Sequence, residues 1–72
     1  MIDKLAEAQK YSLETALSEM ENARKMFAQR RRAKAQEHLI TARFWAAKVS
    51  PEFTPPDFQQ NLSELELKIL QG

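Results

Sequence analysis

The segment Ser50-Pro51-Glu52-Phe53-Thr54-Pro55-Pro56-Asp57-Phe58 holds all three prolines of a 72-residue chain whose single glycine is Gly72. Proline fixes its own φ, lacks a backbone N–H and pushes the residue before it away from helical geometry. A helix arriving from the N-terminal side must therefore end at Ser50-Pro51. Thr54 reads as the N-cap of the next helix, with Pro55 at its first position. Asp57, three residues after the cap, answers it as a shortened capping box. Phe53 and Phe58 flank the cap at the spacing of a hydrophobic staple. A helix over about residues 55–70 follows, with Phe58, Leu62, Leu65 and Ile69 on one face and Leu67 and Leu70 pointing elsewhere.

Upstream of this corner, Ile2 to Ser50 contains neither glycine nor proline and is mostly Ala, Leu, Glu, Lys, Arg, Gln and Met. These residues lose least on entering a helix. The first helix is expected over about residues 3–29, with Asp3 as N-cap and Glu7 in the dipole-sensitive first turn. Its seam is Ala6, Leu13, Met20 and Phe27 at a spacing of seven, with Ile2, Ala16 and Ala23 at the complementary offset. The seam is thin, because Gln9 interrupts it and alanine dominates one row; Leu17 adds to its apolar side. A second helix is expected over about residues 33–49, with Ala35, Leu39, Ala42, Ala46 and Val49 spaced four, three, four, three. Ile40, Phe44, Trp45 and Ala47 widen this helix well beyond a two-helix stripe.

Between the two seams, Gln29-Arg30-Arg31-Arg32-Ala33-Lys34 has no apolar residue larger than alanine, and the seam phases do not match across it. Either the chain turns back here as a helical hairpin, or one helix runs from Asp3 to about Val49 with a stutter. The hairpin is adopted, since an unbroken helix would leave a monomer with little to pack against. The expected fold is all-α: one domain over residues 1–72, a three-helix bundle in which a helical hairpin is followed by a Pro-capped third helix.

This size lies near the lower limit for a self-sufficient core. No cysteine is present to supply a disulfide or a thiolate metal site. No apolar run reaches the ~18 residues of a membrane span. The acidic start Met-Ile-Asp-Lys-Leu-Ala-Glu lacks the apolar stretch of a secretory signal, so a cytoplasmic location is expected. Charge is segregated along the chain. Asp3, Glu7, Glu14, Glu19 and Glu21 against Lys4 and Lys10 leave residues 1–22 at −3. Residues 23–50 carry eight cations against Glu37 alone, +7, and residues 51–72 return to −3. Antiparallel packing would pair these charges across the bundle surface; the other reading is a basic patch for an anionic partner.

Arg32 to Pro51 (RAKAQEHLITARFWAAKVSP) resembles the second half of a tetratricopeptide-type hairpin. That family's small–large–small pattern falls on Ala35, Leu39 and Ala42, with a proline closing the helix. The overall layout is also similar to the small all-helical co-chaperones of type III secretion needle proteins. Both resemblances imply a protein-binding role.

Catalysis finds no support in these residues. His38 is the only histidine, and Ser12, Ser18, Ser50 and Ser63 are the only serine nucleophiles it could serve. It reads as a residue on a helix flank, and no metal set accompanies it. The chain is expected not to be an enzyme and to use no cofactor, metal or small-molecule substrate. Its expected role is to bind another protein, as adaptor, co-chaperone or inhibitor, or to pair with a second copy of itself. Ile40, Phe44, Trp45, Leu67 and Leu70 would supply the apolar contact, and Arg31 and Arg43 would orient an acidic rim. The alternative is a nucleic-acid-associated regulator using Arg30, Arg31, Arg32 and Lys34 on phosphates, though no aromatic interleaves that cluster for base stacking.

Overall fold

The computed structural model describes residues 3–71, of Asp3 only the backbone. Helix α1 spans Asp3–Ala28, α2 spans Arg32–Ala46, a 3₁₀ turn spans Pro51–Phe53, and α3 spans Phe58–Gln71. There is no strand among the described residues. The cap expected of the Asp3 side chain and the seam position Ile2 lie outside what is described. The particle is a slim rod, 45 × 18 × 14 Å, and its length is set by α1, whose 26 residues extend about 39 Å.

The chain turns back at residues 29–31. Arg30 donates its N–H to the Phe27 carbonyl (3.0 Å) and Arg31 donates to Met26 (2.8 Å), while Arg30 has a φ of 62°. This is a Schellman turn with Arg30 at the left-handed position usually given to glycine. A side chain there costs about 1–2 kcal/mol, and the packing of the two helices it joins offsets that cost. The hairpin is antiparallel: descending α1 through Met26, Glu19, Tyr11 and Gln9 meets, in turn, Arg31, His38, Trp45 and Ser50.

The α1–α2 interface is built from small residues. Ala16 and Ala23 from α1 and Ala35, Ala42 and Ala46 from α2 are buried, with Met20 and Leu39 as the large members. Small side chains let the helix axes approach toward the lower end of the usual 8–10 Å. Bulk comes from α3, which buries Phe58, Leu62, Leu65 and Ile69 across the alanine rows. Leu13, Met26, Phe27 and Trp45 close the edges. Leu17, expected beside the seam, is instead exposed. Gln9, the residue that interrupts the α1 seam, serves the fold directly. Its Oε1 accepts the Ser50 N–H at 2.6 Å and holds the chain as it leaves α2.

The corner differs in detail from its expected form. Helix α2 stops at Ala46, and Lys48 and Val49 donate three residues back to Trp45 and Ala46, so the expected last turn tightens. Thr54 is not a cap. Its hydroxyl donates to the Ser50 carbonyl (3.0 Å), tying the two ends of the corner together. Helix α3 begins at Phe58 rather than Pro55, and the Asp57 carbonyl accepts its first helical bond, from Asn61 (2.9 Å). Pro55 is itself followed by a proline, and a residue in that position is pushed out of helical geometry. Thr54 (φ −95°, ψ 127°) and Ser50 (φ −68°, ψ 148°), each preceding a proline, are extended for the same reason.

Replacing Arg30 with Gly relieves the left-handed strain and should stabilise the fold by about 1 kcal/mol, or about 4–8 °C in Tm, by thermal unfolding followed at 222 nm. Ile69→Ala empties a fully buried site and should cost about 2–5 kcal/mol, a large share of the whole stability of so small a chain. Leu67→Ala on the opposite side of α3 should stay within about 0.5 kcal/mol, and equal losses would mean α3 is turned the other way.

Candidate interaction surface

Helix α2 carries two rows of side chains. The inner row, Ala35, Leu39, Ala42 and Ala46, is buried. The outer row, Ala33, Glu37, Ile40, Phe44 and Ala47, repeats at the same four–three spacing on the opposite face and is exposed throughout. Ile40 is 68% exposed and Phe44 59%, although each is large enough to serve in a core. On α3, Leu67 and Leu70 are 56% and 53% exposed. Ile40 and Leu70 line one shallow groove between α2 and α3, together with Gln36, Leu39, Arg43 and Glu66. The Arg43 guanidinium donates to the Glu66 carboxylate across it. Leu67 sits one turn before Leu70, away from the buried stripe of α3.

At the open end of the hairpin the row meets an aromatic set. Trp45 is half-buried, packed on the core edge, and holds Tyr11 on one side and Phe44 on the other. Both pairs are edge-to-face, with ring centroids 5.6 Å apart, the arrangement the ring quadrupoles favour. The Lys48 ammonium lies 4.7 Å from the centre of the Phe44 ring. Trp45 thus props Phe44 from behind, while Phe44 itself faces solvent.

Of the seven residues expected to form a protein-binding face, the structure brings Ile40, Phe44, Leu70 and Arg43 onto one side of the α2–α3 pair. Trp45 serves that side as its backing. Arg31 is not with them: it sits in the hairpin turn, 13 residues before Phe44 and so about 20 Å away along α2. Leu67 is apart as well, on the side of α3 opposite its buried stripe. Tyr11 and Lys48 were not among the expected residues. Lys48 stands four residues after Phe44, the spacing at which helical side chains meet, and Tyr11 lies off the α1 seam. Those two signals were present in the sequence.

The basic stretch does not act as one unit. Arg32 turns inward: its Nε donates to the Ile69 carbonyl (2.9 Å) and its Nη2 to that of Leu70, so it closes the C-terminal end of α3. Lys34 lies 3.8 Å from Glu37, one turn on. Arg30 and Arg31 remain exposed at the turn, where α1 and α3 both end. Two helix C-termini gather partial negative charge there, which these cations offset without any outside anion. His38 is engaged as well, its Nδ1–H donating to Glu19 Oε2 at 3.1 Å across the α1–α2 seam. Among the described residues no group of His, Asp and Glu side chains is arranged to hold a metal ion, and no helix is long and apolar enough to cross a membrane. No family model, curated protein or solved structure matches this chain.

Arg32 and its neighbours should separate cleanly in solution. Arg32→Gln removes two charge-assisted bonds to α3 and should cost about 1–3 kcal/mol in urea unfolding, with faster amide exchange in the last turn of α3. Arg31→Gln should change stability by less than about 0.5 kcal/mol.

Proposed function

We propose that this chain is a small protein-interaction module of the cytoplasm, without catalytic activity, that binds through the outer face of α2 and the adjoining edge of α3. The observation that carries the reading is the exposure of Ile40, Phe44 and Leu70 on one side of the α2–α3 pair, in a chain whose buried core relies on five alanines. Leu5, Tyr11, Leu17 and Phe53 are exposed too, so the weight falls on where Ile40, Phe44 and Leu70 are placed and not on exposure alone. Their placement on one side, backed by Trp45 and rimmed by Lys48 and the Arg43–Glu66 pair, has the composition of a binding hot spot: an apolar and aromatic centre with charged edges. Helix α2 and its aromatic backing hold these side chains in place before any partner arrives, so little ordering entropy would oppose docking.

The adaptor, co-chaperone and inhibitor roles all use such a face, and the proposed binding mode is common to them. The basic turn is the less favoured site, because Arg32 is already engaged on the carbonyls that end α3.

A photo-crosslinking residue placed at position 44 should yield a covalent adduct with a polypeptide in extracts of the source cell. The same residue at the exposed position Gln60 should yield far less. Ile40→Asp should abolish capture from position 44 while far-ultraviolet circular dichroism stays unchanged. No adduct above the Gln60 control would remove this reading. Salt-sensitive retention on DNA or RNA that disappears in an Arg30→Gln, Arg31→Gln variant would transfer the function to the turn.

A further inference from the structure

We infer that the occupant of the α2 outer face is a second copy of this chain, packed antiparallel about a two-fold axis midway between Ile40 and Phe44. The inference rests on the reading of that face as a docking surface and adds the identity of the partner. What points to a second copy is the charge written along the row. Glu37 stands one turn before Ile40, and Lys48 one turn after Phe44, where it lies over the Phe44 ring. A uniformly acidic partner helix would be attracted by Lys48 and repelled by the Glu37 carboxylate, which exposed Lys34 at 3.8 Å screens only in part; a uniformly basic one would be repelled by Lys48 and Lys34. An antiparallel copy of the same helix satisfies both ends.

With the axis midway between Ile40 and Phe44, each Ile40 lies against the partner's Phe44. Each Glu37 comes level with the partner's Ala47, within reach of the partner's Lys48. The exposed alanines Ala33 and Ala47 bracket this centre and leave room for close approach of the two helices. Such an interface is isologous, so every contact occurs twice.

The charges at the two ends of the rod agree with this orientation. The closed end of the hairpin presents Lys25, Arg30 and Arg31, all exposed; the other end is mixed, with exposed Glu52 and Asp57 beside Lys4, Lys10 and Lys48. Antiparallel pairing sets each basic end toward the partner's mixed corner, whereas parallel pairing would place the two basic ends together. A stable interface takes about 800 Å² from each partner, roughly one seventh of the 5274 Å² this chain exposes. The α2 outer row with Leu70 at its flank lies on one long side of the rod and offers an apolar centre for such a contact. The net charge of +1 leaves little overall repulsion to overcome.

Sedimentation equilibrium of the full chain, with circular dichroism as the check on folding, tests the inference. The wild type should sediment as a dimer and Phe44→Asp as a folded monomer. Should Phe44→Asp lose helicity, Ile40→Asp makes the same comparison at a more exposed position. Reversing one charge, by Glu37→Lys or by Lys48→Glu, should weaken association about tenfold, because the two-fold axis counts each change twice. Combining the two reversals should restore it. A chain that stays monomeric at roughly millimolar concentration, or a double reversal weaker than either single one, would overturn the antiparallel dimer. The crosslink at position 44 then separates the two failures. An adduct with a different protein keeps the docking face and dismisses the second copy; no adduct dismisses both.

Discussion

Close approach of α1 and α2 along their alanine rows is the constraint on which the rest of this molecule depends. Ala16 and Ala23 against Ala35, Ala42 and Ala46 bring two backbones together, but they bury little apolar area of their own. A hairpin made of that seam alone would gain far less than the entropy lost in ordering its residues. Helix α3 is therefore the third wall of the core. Phe58, Leu62, Leu65 and Ile69 supply most of its large side chains. The bonds that fix α3 in register follow from this need. Arg32 holds its C-terminal carbonyls, Arg43 pairs with Glu66, and the proline corner sets where it can begin.

The corner and the turn solve opposite problems. The corner is stiff by covalent chemistry: Ser50 and Thr54 each precede a proline, both are extended, and the Thr54 hydroxyl bonds back to Ser50. The hairpin turn has no such help. It places an arginine where glycine is favoured, and its Schellman bonds form because the helices on either side pack well enough to hold Arg30 at positive φ. The basic residues gathered there also serve the fold, since two helix C-termini end nearby and Arg32 closes one of them directly.

Helix α2 belongs to two surfaces at once. Its inner row is consumed by α1 and α3, and its outer row repeats the same spacing with Ile40 and Phe44 at the centre. An ordinary surface helix would carry charged residues at those two positions. Trp45 joins the two surfaces, one edge on the core and the other supporting Phe44. An exposed apolar face attached so directly to the core is positioned by the same packing that stabilises the fold.

Much of this was legible in the amino-acid order. The absence of glycine and proline before Ser50, the four–three spacing of both seams and the clustered prolines determined an all-α chain of three helices, because local propensity and periodicity act over a few residues. The off-seam positions of Ile40, Phe44, Leu67 and Leu70 were legible for the same reason. Other features needed the folded chain. Sequence left open whether residues 29–33 turn or continue as helix, since Arg30 has no intrinsic preference for positive φ and only tertiary packing makes that conformation worth adopting. The cap-like Thr54 points to a helix start at Pro55, yet the second proline keeps the first out of helical geometry and α3 begins at Phe58. The run Arg30, Arg31 and Arg32 reads as three equals, although Arg32 alone meets the end of α3, 37 residues away. Contacts at that range depend on how three helices are laid side by side, and no short-range pattern in the chain encodes which of three adjacent guanidinium groups will find a carbonyl.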